Sequence, residues 1–157
     1  MSNNKQSSVD KEFVPYQEAL ALKGLGFDEP CFAFFQVEYT ELLPTMVDDD
    51  EEYRLTGYRT CSNLEMSKHY TSAPTFSQAF RWFREKYNLR GFIGFRPNVK
   101  QFDHHIYDMS LSGIEYTKQR TMAEYNKDPL VGTYEEAELA CLRKLIEIAK
   151  EKQDEQQ

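Results

Sequence analysis

The stretch APTFSQAFRWFREKY, residues 73–87, predicts the helix around which the rest of the chain is organised. Pro74 and Thr75 are typical of a helix start, because proline is tolerated where the first N–H groups have no partner inside the helix. Apolar side chains then recur at helical spacing, at positions Phe76, Ala79, Phe80, Phe83 and Tyr87. We therefore expect a helix whose aromatic face is buried against a sheet or a second helix.

The composition indicates one domain with a sizeable core. The chain has 157 residues, of which 40% are hydrophobic and 14% aromatic, and this length suits a single domain. Its longest apolar run, residues 31–35, is far shorter than the roughly 18 residues that a membrane span requires. The polar start of the sequence contains no apolar signal region, so we expect a cytoplasmic protein without membrane contact.

Four further segments predict short antiparallel strands. Each is rich in aromatic and β-branched residues, and they cover residues 31–39, 53–61, 89–95 and 101–109. The first is apolar on both faces and is therefore expected to lie in the centre of a sheet. An acidic run at residues 48–52 separates the first two strands, and such a run is typical of a solvated loop, so these strands are expected to form a hairpin.

Two more helices flank these strands. The first is expected from about Pro15 to Leu25, with Gly26 as a left-handed residue that ends it in a Schellman motif. The last helix is expected to begin after the N-cap Thr133, with Glu136 at the capping-box position. Residues 62–72 and 112–132 carry no pattern that assigns them to a helix or a strand.

The predicted fold is α+β, with a small antiparallel sheet covered by helices in the approximate order αββαββα. Residues 1–12 are expected to be a disordered tail, residues 13–150 a single domain and residues 151–157 a frayed polar tail. The core is expected to be aromatic and aliphatic, with the members Phe32, Phe34, Phe76, Phe80, Phe83, Phe92, Ile106, Leu142, Leu145 and Ile146.

The charge is distributed unevenly along the chain. The net charge is −7, which argues against a general nucleic-acid binder because such proteins carry a basic excess. Residues 81–100 nevertheless contain six basic residues and a single acidic one. A local positive patch of this kind can steer an acidic partner in spite of the overall charge.

This basic stretch supplies the candidate partner-binding residues Arg81, Trp82, Lys86, Arg90 and Arg96. With Phe76 at the centre of the buried face, Trp82 falls roughly 120° away, at the edge of the exposed side. Tryptophan and arginine are the residue types most enriched in binding hot spots. The alternative is that Trp82 folds over a neighbouring helix and the basic residues pair with acidic residues of the same chain.

A second group of residues is of the metal-ligand type: Asp103, His104, His105 and Asp108. On a strand, Asp103 and His105 share one face, whereas His104 and Asp108 share the other. A metal site would need further ligands from elsewhere, such as His69, because no zinc-binding spacing is present. The ordinary interpretation is an exposed strand, so no metal site, cofactor or catalytic residue is predicted.

The cysteines add no site. Cys31, Cys61 and Cys141 are widely spaced and form no CxxC pair. Widely spaced, unpaired cysteines of this kind predict reduced and partly buried thiols in a cytosolic protein.

Three blocks carry a resemblance to a known group of proteins: VPYQEALALKGLGFDEPC, APTFSQAFRWFREKYNL and TYEEAELACLRKLIEI. They resemble, in order and residue type, the blocks of small uncharacterised proteins found in gut bacteria of the Bacteroides type and in their phages and mobile elements. The resemblance implies a phage or mobile-element context. It implies no activity, cofactor or catalytic residue.

Two hypotheses of different class follow. The first is a small, non-enzymatic binding or adaptor protein of phage or mobile-element origin, which contacts an acidic partner through residues 81–100. Its partner is expected to be a protein, with nucleic acid disfavoured by the net charge. The alternative is an enzyme or metal-dependent protein that uses the strand around Asp103, His104 and His105.

Overall fold

A computed structural model describes residues 10–37, 53–56, 62–64, 70–110 and 130–155. They divide into two units, the first ending at Thr75 and the second beginning at Phe76. The predicted α+β class with antiparallel strands is confirmed. The described elements follow the order αβββαββα, with one strand more than predicted, and the strands form two sheets.

The first unit combines a short helix with a three-stranded antiparallel sheet. Helix α1 spans Tyr16–Gly24 after a 3-10 turn at Asp10–Glu12, which lies inside the segment expected to be a tail. The strands are β1 Ala33–Val37, β2 Tyr53–Thr56 and β3 Tyr70–Ala73. Their order is β2-β1-β3, so β1 is central, as its apolar faces predict. The acidic run 48–52 lies outside the described residues.

The end of α1 is the predicted Schellman motif. Gly26 has a φ of 86°, a left-handed conformation that glycine adopts without steric cost. Its N–H donates to the Lys23 carbonyl at 3.0 Å, and the Phe27 N–H donates to the Leu22 carbonyl at 2.9 Å. These two bonds satisfy carbonyls that a helix end leaves without partners.

A buried asparagine joins distant parts of this unit. The Asn63 side-chain amide donates to the Phe27 carbonyl at 2.8 Å, and its Oδ1 accepts from the Ser72 N–H at 2.9 Å. The next residue, Leu64, donates its N–H to Asp28 at 2.8 Å. Strand β3 is held by the bond from Ser72 to Asn63 and by its pairing with β1, both of which are long-range contacts, so residues 62–72 carry no local pattern that predicts a strand.

The second unit combines a β-hairpin with two helices. Helix α2 spans Phe76–Tyr87 and helix α3 spans Tyr134–Asp154. The hairpin pairs β4 Leu89–Arg96 with β5 Gln101–Asp108, residue by residue along its whole length. Both helices pack on β4, and α3 also packs on β5.

Both ends of α3 are fixed by side chains. The capping box of Thr133 and Glu136 is present as predicted. The helix continues to Asp154, four residues into the segment expected to be a frayed tail. Lys152 pairs with Asp108 at 2.5 Å, and Gln153 donates to the Tyr87 hydroxyl at 2.8 Å. These contacts hold the helical turn that polarity alone had suggested would fray.

The predicted core is correct on the helices and partly wrong on the strands. The helical members are buried, namely Phe76, Phe83, Leu142, Leu145 and Ile146, whereas Phe80 is half-buried, as are Phe34 and Ile106 on the strands. Phe32 is 70% exposed and Phe92 is 39% exposed, so both were placed on the wrong face. Successive strand residues point to opposite faces, and a one-residue error in that alternation reverses every assignment.

Candidate functional site

Trp82 is a core residue rather than an exposed one. It is only 6% exposed, and the buried residues of α2 are Phe76, Ala79, Trp82 and Phe83. The centre of this buried face lies about 50° from Phe76 in the direction of Trp82. The expectation of a half-exposed tryptophan was therefore wrong, because it took Phe76 as the centre of the face.

The surroundings of Trp82 explain how it is held. Its ring meets the rings of Phe83 and Tyr87 edge to face, with centroid distances of 5.1 and 5.3 Å. The Lys86 ammonium lies 4.9 Å from the Trp82 ring centroid, an arrangement that a cation–π interaction favours. Trp82 thus stabilises α2, and replacing it would disturb the helix before it tested any binding role.

The exposed basic residues of this unit lie on α2 and at the start of β4. Arg81, Arg84 and Lys86 are exposed on the helix, and Arg90 is exposed on the strand. The Arg90 guanidinium lies 4.6 Å from the Phe92 ring centroid. Arg84 was not among the sequence candidates, although it contributes to the positive charge of residues 81–100. Within the described residues it forms no hydrogen bond or ion pair.

Arg96 differs from the other sequence candidates because its charge is neutralised. Its Nε donates to the Asp103 carboxylate at 2.5 Å, and Asp103 is buried. Pairing within the chain, the alternative considered for the basic residues, is therefore what happens at Arg96. Arg96 is left out of the candidate surface for this reason.

The same aspartate organises the residues of the alternative site. Asp103 Oδ2 lies 3.5 Å from His105 Nε2, which agrees with their predicted common face. Gly94 is paired with Asp103 in the register, and a Cβ at that position would collide with the carboxylate. His104 is buried and, by the alternation of strand side chains, lies on the opposite face of the hairpin. His69 lies outside the described residues, among which no three His, Cys, Asp or Glu side chains form a metal-binding group.

A cleft of about 460 Å³ lies beside the basic residues of α2, a volume in the range of ligand-binding sites. The cleft is lined by Ser77, Phe80 and Arg84 of α2, by residues 91–93 of β4, and by Tyr134 and Glu138 of α3. Burial raises the pKa of Tyr134, and the neighbouring Glu138 carboxylate raises it further. The cleft therefore combines aromatic walls with one cation and one anion, which suits binding of a polar, partly apolar ligand.

The described cysteines do not add chemistry to the site. Cys31 and Cys141 are buried and free of disulfides, while Cys61 lies outside the described residues. Burial raises the pKa of the Cys31 thiol to about 12. Because the thiolate is the nucleophilic form, Cys31 is unreactive at neutral pH.

Comparison with protein-family models, with curated proteins and with solved structures gave no match for this chain. Among the described residues, no helix has both the length and the apolar character needed to cross a membrane.

Proposed function

We propose that this chain is a small, non-enzymatic binding or adaptor protein that contacts an acidic surface of a partner protein. The contact surface, here called the basic strip, consists of Arg81, Arg84 and Arg90; Lys86 is left out because it lies on the other flank of α2, about 160° around the helix from Arg84. The observation that carries the proposal is that all three side chains are exposed in a chain of net charge −7. In addition, neither Arg84 nor Arg90 has an ion-pair partner among the described residues.

The placement of the strip supports a binding role beyond helix stabilisation. Arg84 and Lys86 lie in the last turn of α2, where cations interact favourably with the helix dipole. That effect falls off within one turn, so it does not account for Arg81, and Arg90 lies on β4. Residues 81 and 84 are three apart and so lie side by side on the helix.

A protein partner is favoured over nucleic acid. Charges act on one another over a Debye length of about 8 Å at physiological salt, so the three cations of the strip attract an acidic surface in spite of the overall charge. A nucleic acid presents a continuous run of phosphates, and a net charge of −7 repels such a polymer beyond the patch. The strip therefore suits a limited acidic surface.

The setting we propose is the cytoplasm of a cell that carries a phage or mobile element. The support for it is the resemblance of three sequence blocks to proteins of that context. The alternative, an enzyme using the strand around Asp103, is not favoured, because Asp103 is buried in contacts with Arg96 and His105. His104 lies on the other face of the hairpin and does not complete a site with them.

A matched pair of charge variants tests the proposal. The first, Arg81→Ser, Arg84→Ser and Arg90→Ser, removes three cations from the strip and leaves Trp82 intact. The second, Arg143→Ser, Lys144→Ser and Lys150→Ser, removes three exposed cations from α3. Circular dichroism and thermal unfolding establish that both variants fold as the wild type does.

The readout is capture of partners from host lysate, with and without nuclease. We expect the α3 variant to retain the partner that the wild type captures and the strip variant to lose it, in both conditions. Equal capture by the strip variant contradicts the proposed surface. Loss of the partner on nuclease treatment contradicts the assignment to a protein.

A further inference from the structure

The cleft beside α2 runs along an edge of the hairpin. Gly91, Phe92 and Ile93 all line it, although consecutive side chains of a strand point to opposite faces. A cleft that three consecutive residues share is therefore not confined to one face of the sheet. Since the other edge of β4 is paired with β5, the cleft reaches the outer edge of β4.

The hydrogen-bond pattern shows which backbone groups of β4 point outward, away from β5. The Met109 N–H donates to the Asn88 carbonyl at 2.7 Å. Bonded and non-bonded pairs alternate in an antiparallel ladder, so Arg90 and Phe92 bond to β5, whereas Gly91 and Ile93 direct their N–H and C=O groups outward. The outer edge of β5 follows the same alternation. Phe102, which belongs to a non-bonded pair with Phe95, directs its N–H and C=O outward and exchanges two hydrogen bonds with Val131, at 2.9 and 3.0 Å.

The two edges of the hairpin differ in their partners. The edge of β5 carries the bridge between Phe102 and Val131. Within the described part of the chain, no strand or bridge pairs with the outer edge of β4. A row of unpaired N–H and C=O groups is a template for an added strand.

We infer that the outer edge of β4 binds an extended, carboxylate-bearing segment of the partner protein as an added strand. This inference rests on the proposed function and specifies how the partner is held. The backbone groups of Gly91 and Ile93 pair with the segment. The side chains of Phe80 and Phe92 line its path, and the Arg84 guanidinium binds its carboxylate.

Charge complementarity identifies this occupant. Arg84 of α2 lines the cleft without an ion pair in the described residues, and Arg90 lies on β4, one residue before Gly91. Glu138 also lines the cleft, and its carboxylate repels a second carboxylate of the segment. The segment that fits has one acidic residue near Arg84 and uncharged, β-forming residues on either side.

The probe is a short blocked peptide of alternating threonine and valine with one central aspartate, labelled with fluorescein. Two matched peptides accompany it, one with asparagine in place of aspartate and one with N-methylated backbone amides. We expect saturable binding of the aspartate peptide by fluorescence polarisation, and none of the N-methylated peptide, because it cannot donate to the edge. Equal binding of the aspartate peptide and the N-methylated peptide overturns the inference. The absence of binding of any of the three peptides up to about 1 mM also overturns it.

Two protein variants locate the contact. Arg84→Glu should weaken the aspartate peptide about fivefold, the upper range for an exposed ion pair, and leave the asparagine peptide unchanged. Ile93→Pro removes an outward N–H without removing a bond to β5, and it should abolish binding of both peptides. If Ile93→Pro does not fold, Arg84→Glu still tests the inference, since an unchanged affinity of that variant for the aspartate peptide overturns it.

Hydrogen exchange of the Gly91 and Ile93 amides distinguishes the other possible occupants. We expect fast exchange in the free protein and protection on addition of the aspartate peptide. Protection already present in the free protein means that a segment of this chain pairs with β4, and protection that rises with protein concentration means a second copy. Either result overturns the inference but leaves the basic strip, and the lysate experiment that tests it, unaffected.

Discussion

Replacing Gly91 with alanine tests the packing beneath the proposed edge. A Cβ at this position would lie 2.7 Å from the Cys141 Sγ and 2.8 Å from Phe80 Cε1. Both distances are shorter than any normal carbon contact, and Cys141 is fully buried. The added methyl group can therefore be accommodated only if the Cys141 and Phe80 side chains, or the helices that carry them, shift away from β4.

The expected cost follows from two opposing terms. Overpacking by one methyl group in a close-packed region costs about 1–3 kcal/mol. Alanine recovers about 0.5–1 kcal/mol, because glycine loses more backbone freedom on folding. We therefore expect Gly91→Ala to lower the free energy of unfolding by about 1–2 kcal/mol.

Urea denaturation measures this change, with Gly24→Ala as the matched control. Gly24 lies at the end of α1 with nothing within 4 Å of an added Cβ. Alanine should raise the free energy of unfolding there by about 0.5–1 kcal/mol. If Gly91→Ala lowers the free energy of unfolding while Gly24→Ala raises it, the loss is due to the contact of the added Cβ with Cys141 and Phe80.

A double mutant refines the test. Cys141→Ala alone should cost about 1 kcal/mol as a buried truncation, but it also removes the atom nearest to the added Cβ. The pair Gly91→Ala and Cys141→Ala should therefore lose at least about 0.5 kcal/mol less than the sum of the single changes. Strict additivity, or a stabilising Gly91→Ala, would refute the close packing of β4 against α2 and α3.

Three further predictions concern other contacts. Asn63→Ala should lower the free energy of unfolding by about 2–4 kcal/mol, because it leaves the Phe27 carbonyl and the Ser72 N–H without partners. Urea denaturation measures this change, with the exposed Leu64→Ala as the control, and equal effects of the two substitutions would contradict the hydrogen bonds assigned to Asn63. Burial raises the pKa of Asp108, but hydrogen bonds from Lys152 and Ser110 outweigh it and hold that pKa below its usual value. The stability that this carboxylate contributes is therefore present above the unfolded pKa of about 3.9 and is lost as the pH falls through the lower folded pKa. Lys152→Met should reduce the decrease in the free energy of unfolding between about pH 6 and pH 2, as measured by urea denaturation. Lys100 has a left-handed φ of 55°, so Lys100→Gly should raise the melting temperature by relieving about 0.5–1 kcal/mol of strain, and a lower melting temperature would contradict this.

The helices were predictable because their ends are encoded locally. Thr133 and Glu136 cap α3 across three residues, and Gly26 ends α1 within one turn. The hairpin of β4 and β5 was predictable for the same reason, since only a short turn separates its strands. Each of these features is decided by neighbours in the sequence.

The faces of the strands and helices were harder to predict. Residues 31–35 are all apolar, so the sequence fits either alternation, and contacts with α1 decide that Phe35 is buried and Phe32 exposed. The buried face of α2 also depends on tertiary contacts, which is why Trp82 was placed wrongly. Strand β3 is held by Asn63 and β1, partners that no local pattern indicates.

The candidate site was predicted only in part. The positive charge of residues 81–100 led to Arg81, Lys86 and Arg90, which are exposed. The cleft was not predictable, because it lies where no other described strand pairs with the outer side of β4, and strand pairing is a long-range property. Arg84 became a candidate only because it lines that cleft.

Binding of an acidic protein surface by the basic strip is electrostatic, so the affinity for the partner should fall as the salt concentration rises. Binding of the captured partner is measured by surface plasmon resonance between about 50 and 300 mM NaCl, a range over which screening increases strongly. We predict that the wild type and the α3 variant lose affinity steeply with salt, whereas the variant of Arg81, Arg84 and Arg90 binds weakly at every concentration. An affinity that is independent of salt, and equal for all three proteins, would contradict the claim.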